Sequence, residues 1–339
     1  MDIKEKVSKE IESFNCEFNY RIATVGTTAR EAQSFAVLPR RKALGYEAIN
    51  FLVINLESAE ECLKLLDEKV RFILVDIESK KNIDLMEIAK RVVKKSMIIS
   101  YKPNDTTLEA ADMFLRHYFD EDLKNKNFLV YGAGNLGSKL SLRIAERGGQ
   151  VYLDSRNKQK TMEIVKALNY LIPKYSRSHI QVIEDYSQLQ NKMDVIIAFT
   201  SATNVISSTF LQYMKKNGLA LDGGINNFTT DFIKGAIEQE INCYRLDVRA
   251  AFPHSVLFLN DYIRNFYQNV QGEKSINNIR LVAGGIIGNE GDIVVDSIKE
   301  PKQIVGIANG IGGLKLETEY TEKEKSNYEQ IKNMISKNN

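Results

Sequence analysis

Asn127-Phe-Leu-Val-Tyr-Gly-Ala-Gly-Asn-Leu-Gly-Ser-Lys-Leu140 is an apolar strand that runs into three spaced glycines and then into a helix. In such a turn Gly132 allows the tight bend and Gly134 lets a pyrophosphate approach the backbone. Gly137 lets the helix pack against the strand, and the helix N-terminus offers N–H groups and a positive dipole end to the phosphates. Asn135 and Leu136, between the glycines, belong to the same contact surface. A second strand, Gln150-Val-Tyr-Leu-Asp154, follows at the distance a dinucleotide-binding unit requires. The segment therefore reads as a binding site for NAD or NADP. It begins so late in the chain that a complete domain must precede it.

Strand–helix alternation continues on both sides. Downstream, strands are expected at Phe128–Tyr131, Gln150–Asp154, Ile180–Ile183, Asp194–Ala198, Leu219–Asp222 and Asn242–Arg245, which is the doubly wound count of six. Pro173 should stop the helix that begins near Lys158. Upstream, an amphipathic helix over 1–14 precedes strands at Arg21–Val25, Ile49–Ile54, Arg71–Val75 and Met97–Ser100, with helices expected at 28–44, 58–68 and 83–95. A bridging helix over 105–124, capped by Asp105 or Thr106, joins the two sets. The expected fold class is α/β in two domains: a small N-terminal α/β substrate domain (1–104) and a doubly wound Rossmann domain with bridging helices (105–270), with a cleft between them. A returning helix is expected near 249–269. A glycine-rich C-terminal extension and charged tail (271–339) should add a hairpin or strand over 280–315.

With 339 residues, 43% hydrophobic and 27% charged, the chain is long enough for two ordinary domains. A net charge of +2 excludes an electrostatic case for nucleic acid or an anionic membrane. No apolar run approaches a membrane span and the N-terminus lacks a signal-peptide core, so a cytoplasmic protein is expected. Cys16, Cys62 and Cys243 are odd in number and scattered, as free thiols in a reducing compartment are. The three histidines form no ligand-spaced cluster, and no metal site is expected. A homodimer is the default assembly.

The glycine loop and the segment Ser155-Arg156-Asn157-Lys158-Gln159-Lys160 resemble the Rossmann domains of shikimate dehydrogenase and glutamyl-tRNA reductase, which carry Asn-Arg-Thr and a lysine-bearing helix there. Leu221-Asp222-Gly-Gly224-Ile225-Asn226 is similar to a motif of methylenetetrahydrofolate dehydrogenase/cyclohydrolase, as are Val25-Gly26 through Arg40-Arg41-Lys42-Ala43, Ile73–Asp84 and Lys102–Thr106. The likeness spans roughly residues 20–250 and implies the two-domain, amino-acid-dehydrogenase-like layout. It departs from folate chemistry: the tyrosine of that family's Tyr-Lys pair is absent, Arg40 takes the lysine position, and Asp76 and Glu78 replace Gln and Pro. Around Cys16 and Cys62 the nucleophile motif of the reductase is missing.

In the register of these families the strand tip is Ser155, with Asp154 one residue early and so on the opposite face. Ser155 and Arg156 would then leave room for a 2′-phosphate and favour NADP, whereas a ribose contact by Asp154 would give NAD. Thr200 and Ser201, and Gly224 and Ile225, follow the fourth and fifth strands and are expected near the nicotinamide. The resemblance to shikimate dehydrogenase makes Lys80, after the third strand, a candidate catalytic lysine with Asp105 as its partner. Tyr101-Lys102 is a second acid/base candidate. Arg40 and Lys42, on the expected 28–44 helix, would bind an anionic substrate, and Thr27-Thr28 would cap that helix or bind substrate. The expected activity is hydride transfer between NADP(H) and a small polar, anionic carbonyl or imine compound. Dehydrogenation of a folate-like one-carbon carrier, non-catalytic dinucleotide sensing and acyl or thioester reduction are the alternatives.

Overall fold

A computed structural model of the chain describes residues 2–29, 34–189 and 191–338. The architecture is α/β, with mixed parallel and antiparallel sheets, and the chain divides into two compact units, Met1–Ser255 and Val256–Asn339.

The first unit opens with α1 (Ile3–Glu12), capped by the Asp2 carboxylate, which accepts the Glu5 N–H. Then come β1 (Arg21–Gly26), β2 (Ala36–Ala43), β3 (Tyr46–Leu52), α2 (Leu56–Leu66), β4 (Phe72–Asp76), α3 (Leu85–Val92) and β5 (Met97–Tyr101). The sheet order is β2-β3-β1-β4-β5, parallel except for β2 at the edge. β1 and β4 are buried almost end to end, as strands of a covered parallel sheet are.

The expected 28–44 helix is corrected. Residues 30–33 lie outside the described residues, and Ala36–Ala43 is a strand paired antiparallel with β3. Leu44 and Gly45, both at positive φ (51° and 82°), make the two-residue hairpin turn. Pro39 sits where the pairing slips between Leu38 and Arg41, on an edge strand that tolerates a missing N–H. Thr27 therefore caps no helix over 28–44; its N–H donates to Asp76 Oδ2 at 3.2 Å.

The bridging helix, α4 (Pro103–Tyr118), starts at Pro103 and is capped at Lys102 rather than at Asp105 or Thr106, because proline in the first helical position gives up an N–H that would go unpaired anyway. The second sheet contains β6 (Asn127–Tyr131), α5 (Asn135–Glu146), β7 (Gln150–Asp154), α6 (Lys158–Leu171), β8 (Ile180–Val182), β9 (Met193–Ala198), β10 (Met214–Asp222), α7 (Thr230–Glu238) and β11 (Asn242–Arg245). All six expected strands are present and parallel in the order β11-β10-β9-β6-β7-β8. This is the doubly wound order, with its switch point between β6 and β9. α4 lies along α5 through Asp105–Lys139 (2.8 Å), Glu109–Arg143 (2.5 Å) and Asp112–Arg147 (2.9 Å).

The single helix expected near 249–269 is also corrected. Val248–Ala251 is a 3-10 turn, followed by α8 (Phe252–Val256), a second 3-10 turn, α9 (Asp261–Asn265) and a π turn. Asn260 breaks the run, since its side chain accepts the Tyr262 N–H and starts a new helix.

The second unit holds more than the expected hairpin. β12 (Gly272–Ile276), β13 (Ile279–Ala283), β14 (Ile293–Val295) and β15 (Ile304–Ile307) form a sheet in that order. α10 (Glu322–Asn338) buries Ile331 and Ile335 in one cluster with Leu281, Ile293 and Ile307.

Candidate functional site

The three glycines after β6 differ in what surrounds them. At Gly132 (φ 120°) a Cβ would stand 2.3 Å from the Phe199 carbonyl oxygen, and at Gly137 it would stand 1.9 Å from that of Gly132. Those two permit close backbone packing. A Cβ on Gly134 would meet nothing within 4 Å. Gly134 is the N-cap of α5, without any side-chain cap, and lines a cavity of about 430 Å³. Its walls are the glycine loop, the β7 tip (Ser155, Arg156, Asn157), Lys160 on α6, and Phe199 to Ala202 after β9. A pyrophosphate fits this cradle in charge and in space. Asn135 and Leu136, expected in the contact surface, do not line the cavity, and Leu136 packs against the core.

At the β7 tip the structure separates two residues that sequence left in competition. Ser155 and Arg156 line the cavity. Asp154 does not: it is 3% exposed, its Oδ1 accepts the Ser155 N–H and the Lys158 ammonium, and its Oδ2 accepts the Tyr186 hydroxyl at 2.6 Å. Arg156 and Lys160 have no acidic partner among the described residues.

Across the cavity, Thr200 and Ser201 belong to one lining loop; Gly224 and Ile225 belong to a neighbouring loop and do not line the cavity. Asn227, fully buried and not singled out by sequence, ties the two together. Its Nδ2 donates to the Thr200 and Ala202 carbonyls (3.2 and 2.7 Å) and its Oδ1 accepts the Thr200 N–H (3.2 Å). Asp222 holds the second loop by accepting the N–H groups of Gly224 and Asn227. Ile225 and Asn226 sit at positive φ (68° and 57°), a costly backbone for a β-branched residue.

Lys80 lies at the carboxyl edge of the first sheet, 15% exposed, 3.1 Å from Asp76 Oδ2 and 2.8 Å from Glu78 Oε2. Glu78 in turn accepts the Asn104 N–H. The expected Lys80–Asp105 pair is not formed. Asp105 binds Lys102 (2.6 Å) and Lys139 (2.8 Å), which hold its carboxyl below the usual range although burial pushes it up. Lys102 is accordingly committed to Asp105 and not to Tyr101. Tyr101 is buried and accepts from Arg41 at 2.9 Å, and Thr106 bridges it to Ser255 (3.3 and 2.8 Å).

Arg40 and Lys42 stand on a strand, not a helix, and both reach the buried Glu47, while Arg40 also pairs with Glu10. With Arg249 they border an open groove of about 630 Å³. The alternation of a strand turns Arg41 the other way, toward Tyr101 and the Phe252 ring.

Burial raises the thiol pKa of Cys16, Cys62 and Cys243, so none has the environment of an activated nucleophile. Among the described residues no cluster of three or more His, Cys, Asp or Glu is placed to hold a metal ion, and no helix is long and apolar enough to cross a membrane.

Residues 127–241 match the sequence profile of the NAD binding domain of 6-phosphogluconate dehydrogenase. Solved structures of similar fold are spread over several families. A shikimate dehydrogenase in complex with NADP+ shares 15% identity over 70% of this chain and 91% of that one (TM-score 0.44). L-tryptophan dehydrogenase from Nostoc punctiforme shares 8% over 74% and 76% (0.44). Ornithine carbamoyltransferase from Pyrococcus furiosus shares 13% over 76% and 91% (0.42). The match over residues 127–241 and the doubly wound order of the second sheet give the chain a Rossmann-type NAD(P)-binding fold, while the solved structures it resembles are spread over families of which none dominates.

Proposed function

We propose that this protein is an NADP-preferring oxidoreductase acting on a small polar, anionic carbonyl or imine compound. The observation that carries the reading is the cavity before α5: Gly134 lines it, and two cations, Arg156 and Lys160, stand at what would be its adenosine end with no acidic partner among the described residues. A 2′-phosphate would supply the missing negative charge, and a planar guanidinium suits it. The N–H groups at the start of α5 would hold the pyrophosphate. The loops pinned by Asn227 would hold the nicotinamide end. When bound, NADP(H) supplies or accepts the hydride.

The chain itself must orient the substrate and move a proton. Lys80 is suited to that task. Two of its three N–H donors are directed by Asp76 and Glu78, and the third is left for a substrate oxygen or nitrogen. Arg41, rather than Arg40 or Lys42, is the cation turned toward the end of β5, where an anionic group would be met. One observation favours non-catalytic dinucleotide sensing as a second reading: Lys80, Lys102 and Asp105 are all already paired within the chain.

Consumption of NADPH against a panel of 2-oxo acids and cyclic imines, in wild type and Lys80→Met, tests the proposal. Turnover of at least one compound is expected, falling about a hundredfold in Lys80→Met with little change in NADPH affinity. Tight NADPH binding with no turnover of any compound would leave the sensing reading in its place.

A further inference from the structure

Asp154 ends the second strand of the Rossmann sheet, where an acid ordinarily reads the ribose hydroxyls of NAD(H). Here both its oxygens are occupied on the side away from the cavity, by Lys158 and the Ser155 N–H on Oδ1 and by Tyr186 on Oδ2. The partners are themselves fixed. The Tyr186 ring packs edge-on to Phe210 (5.3 Å) and against Tyr213 (5.1 Å), and Lys158 also donates to the Ile183 carbonyl at 2.6 Å. Burial, with the adjoining Asp154 carboxylate, drives the Tyr186 phenol far above its usual range, so it remains a donor. The backbone of Asp154 is held separately, its carbonyl accepting the Gly132 N–H at 2.7 Å. The carboxylate could therefore turn without dismantling the glycine loop.

We infer that Tyr186 and Lys158 form a lock that withholds Asp154 from the cofactor and so selects NADP(H) over NAD(H), a role that rests on the dinucleotide function proposed above. A satisfied, buried carboxylate gains nothing by rotating toward the cavity. Released, it would accept from a ribose diol and repel a 2′-phosphate. Selectivity is then set twice at one strand tip, by cations that face the cavity and by an acid that is kept out of it.

Fluorescence titrations of the full chain with NADPH and with NADH test the lock in wild type, Tyr186→Phe, Asp154→Asn and the double variant. Tyr186→Phe keeps the ring and removes only the hydroxyl. The ratio of NADPH to NADH affinity should fall about tenfold, the scale of one hydrogen bond to a charged group. The double variant should return the ratio to that of Asp154→Asn alone, because the acid that the lock restrains is gone. An unchanged ratio in Tyr186→Phe, a change that survives in the double variant, or an equal loss of both cofactors would each overturn the lock, the last by reducing the cluster to a structural strut. If Tyr186→Phe does not fold, Lys158→Gln releases Oδ1 and is held to the same outcomes. Wild type that binds neither cofactor overturns the dinucleotide reading itself, and the lock with it.

Discussion

At the carboxyl edge of the first sheet, Lys80 is met by two carboxylates, Asp105 by two lysines, and Arg41 by the Tyr101 hydroxyl. At the carboxyl edge of the second sheet, Arg156 and Lys160 border a cavity and are met by no acid among the described residues. Both edges belong to parallel α/β layers, the place where such sheets bind ligands. At the first edge Lys80 and Asp105 are neutralised from within and add to the framework, while Arg41, held by a neutral hydroxyl, keeps its charge. The second has positive charge in a space shaped by glycines, with no acid against it among the described residues, and in the function proposed above its partner is the cofactor. Changes at the first edge should therefore be read in stability and turnover, and changes at the second in cofactor binding.

The largest contrast lies inside the glycine loop. Gly137→Ala would put a methyl 1.9 Å from the Gly132 carbonyl, and α5 would have to move. Urea unfolding should show a loss of at least about 3 kcal/mol, with NADPH binding lost as well. Gly134→Ala adds the same methyl to open space, so the melting temperature should hold while NADPH affinity falls about tenfold. Equal destabilisation by the two would break the distinction between packing and cradle. Next, Lys80→Met leaves Asp76 and Glu78 together in a buried edge and should cost about 3 kcal/mol, whereas Arg156→Ala should stay within about 0.5 kcal/mol in the same assay. Reversal of that order would contradict the comparison. Asn227→Ala leaves the Thr200 and Ala202 backbone groups without their partner and should cost about 2 kcal/mol and weaken NADPH binding, a mixed effect at the boundary of the two classes.

The smallest effect is a pH dependence where α4 meets α5. The hydrogen bond from Arg143 holds the Glu109 carboxyl below its usual range. Stabilisation from a depressed carboxyl is complete above its unfolded value and is lost as pH falls through the folded one. Melting temperatures of wild type and Glu109→Gln should therefore converge as pH drops from neutral to about 3. A constant gap would assign the pair no electrostatic role.

What sequence made legible follows from range. The six strands of the second sheet and the roles of Gly132, Gly134 and Gly137 are local: apolar runs, glycine spacing and chain order carry them. β2 was not local. Its charged residues Arg40 to Lys42 suit a helix surface as well as an edge strand, and only pairing with β3 decides between them, though Pro39 and the Leu44-Gly45 turn are signals of an edge hairpin. The cavity walls Ser155, Arg156, Thr200 and Ser201 were readable from their places after strands. The partners of Lys80 and Asp105 lie mostly nearby, Asp76 and Glu78 just before Lys80 and Lys102 just before Asp105. The local sequence offered them, and the Lys80–Asp105 pairing came from the family resemblance; of these partners only Lys139 reaches Asp105 from another helix. Asn227 and Tyr186 escaped notice because their hydrogen bonds reach across 27 and 32 residues of chain.

The most direct measurement is a fluorescence titration with NADPH and NADH on wild type and Arg156→Ala. The account predicts tighter binding of NADPH by wild type, and at least about a tenfold loss of NADPH affinity in Arg156→Ala with NADH little changed. Equal affinity for the two cofactors, untouched by the substitution, would contradict the claim that the unpaired cations of the second edge await a 2′-phosphate.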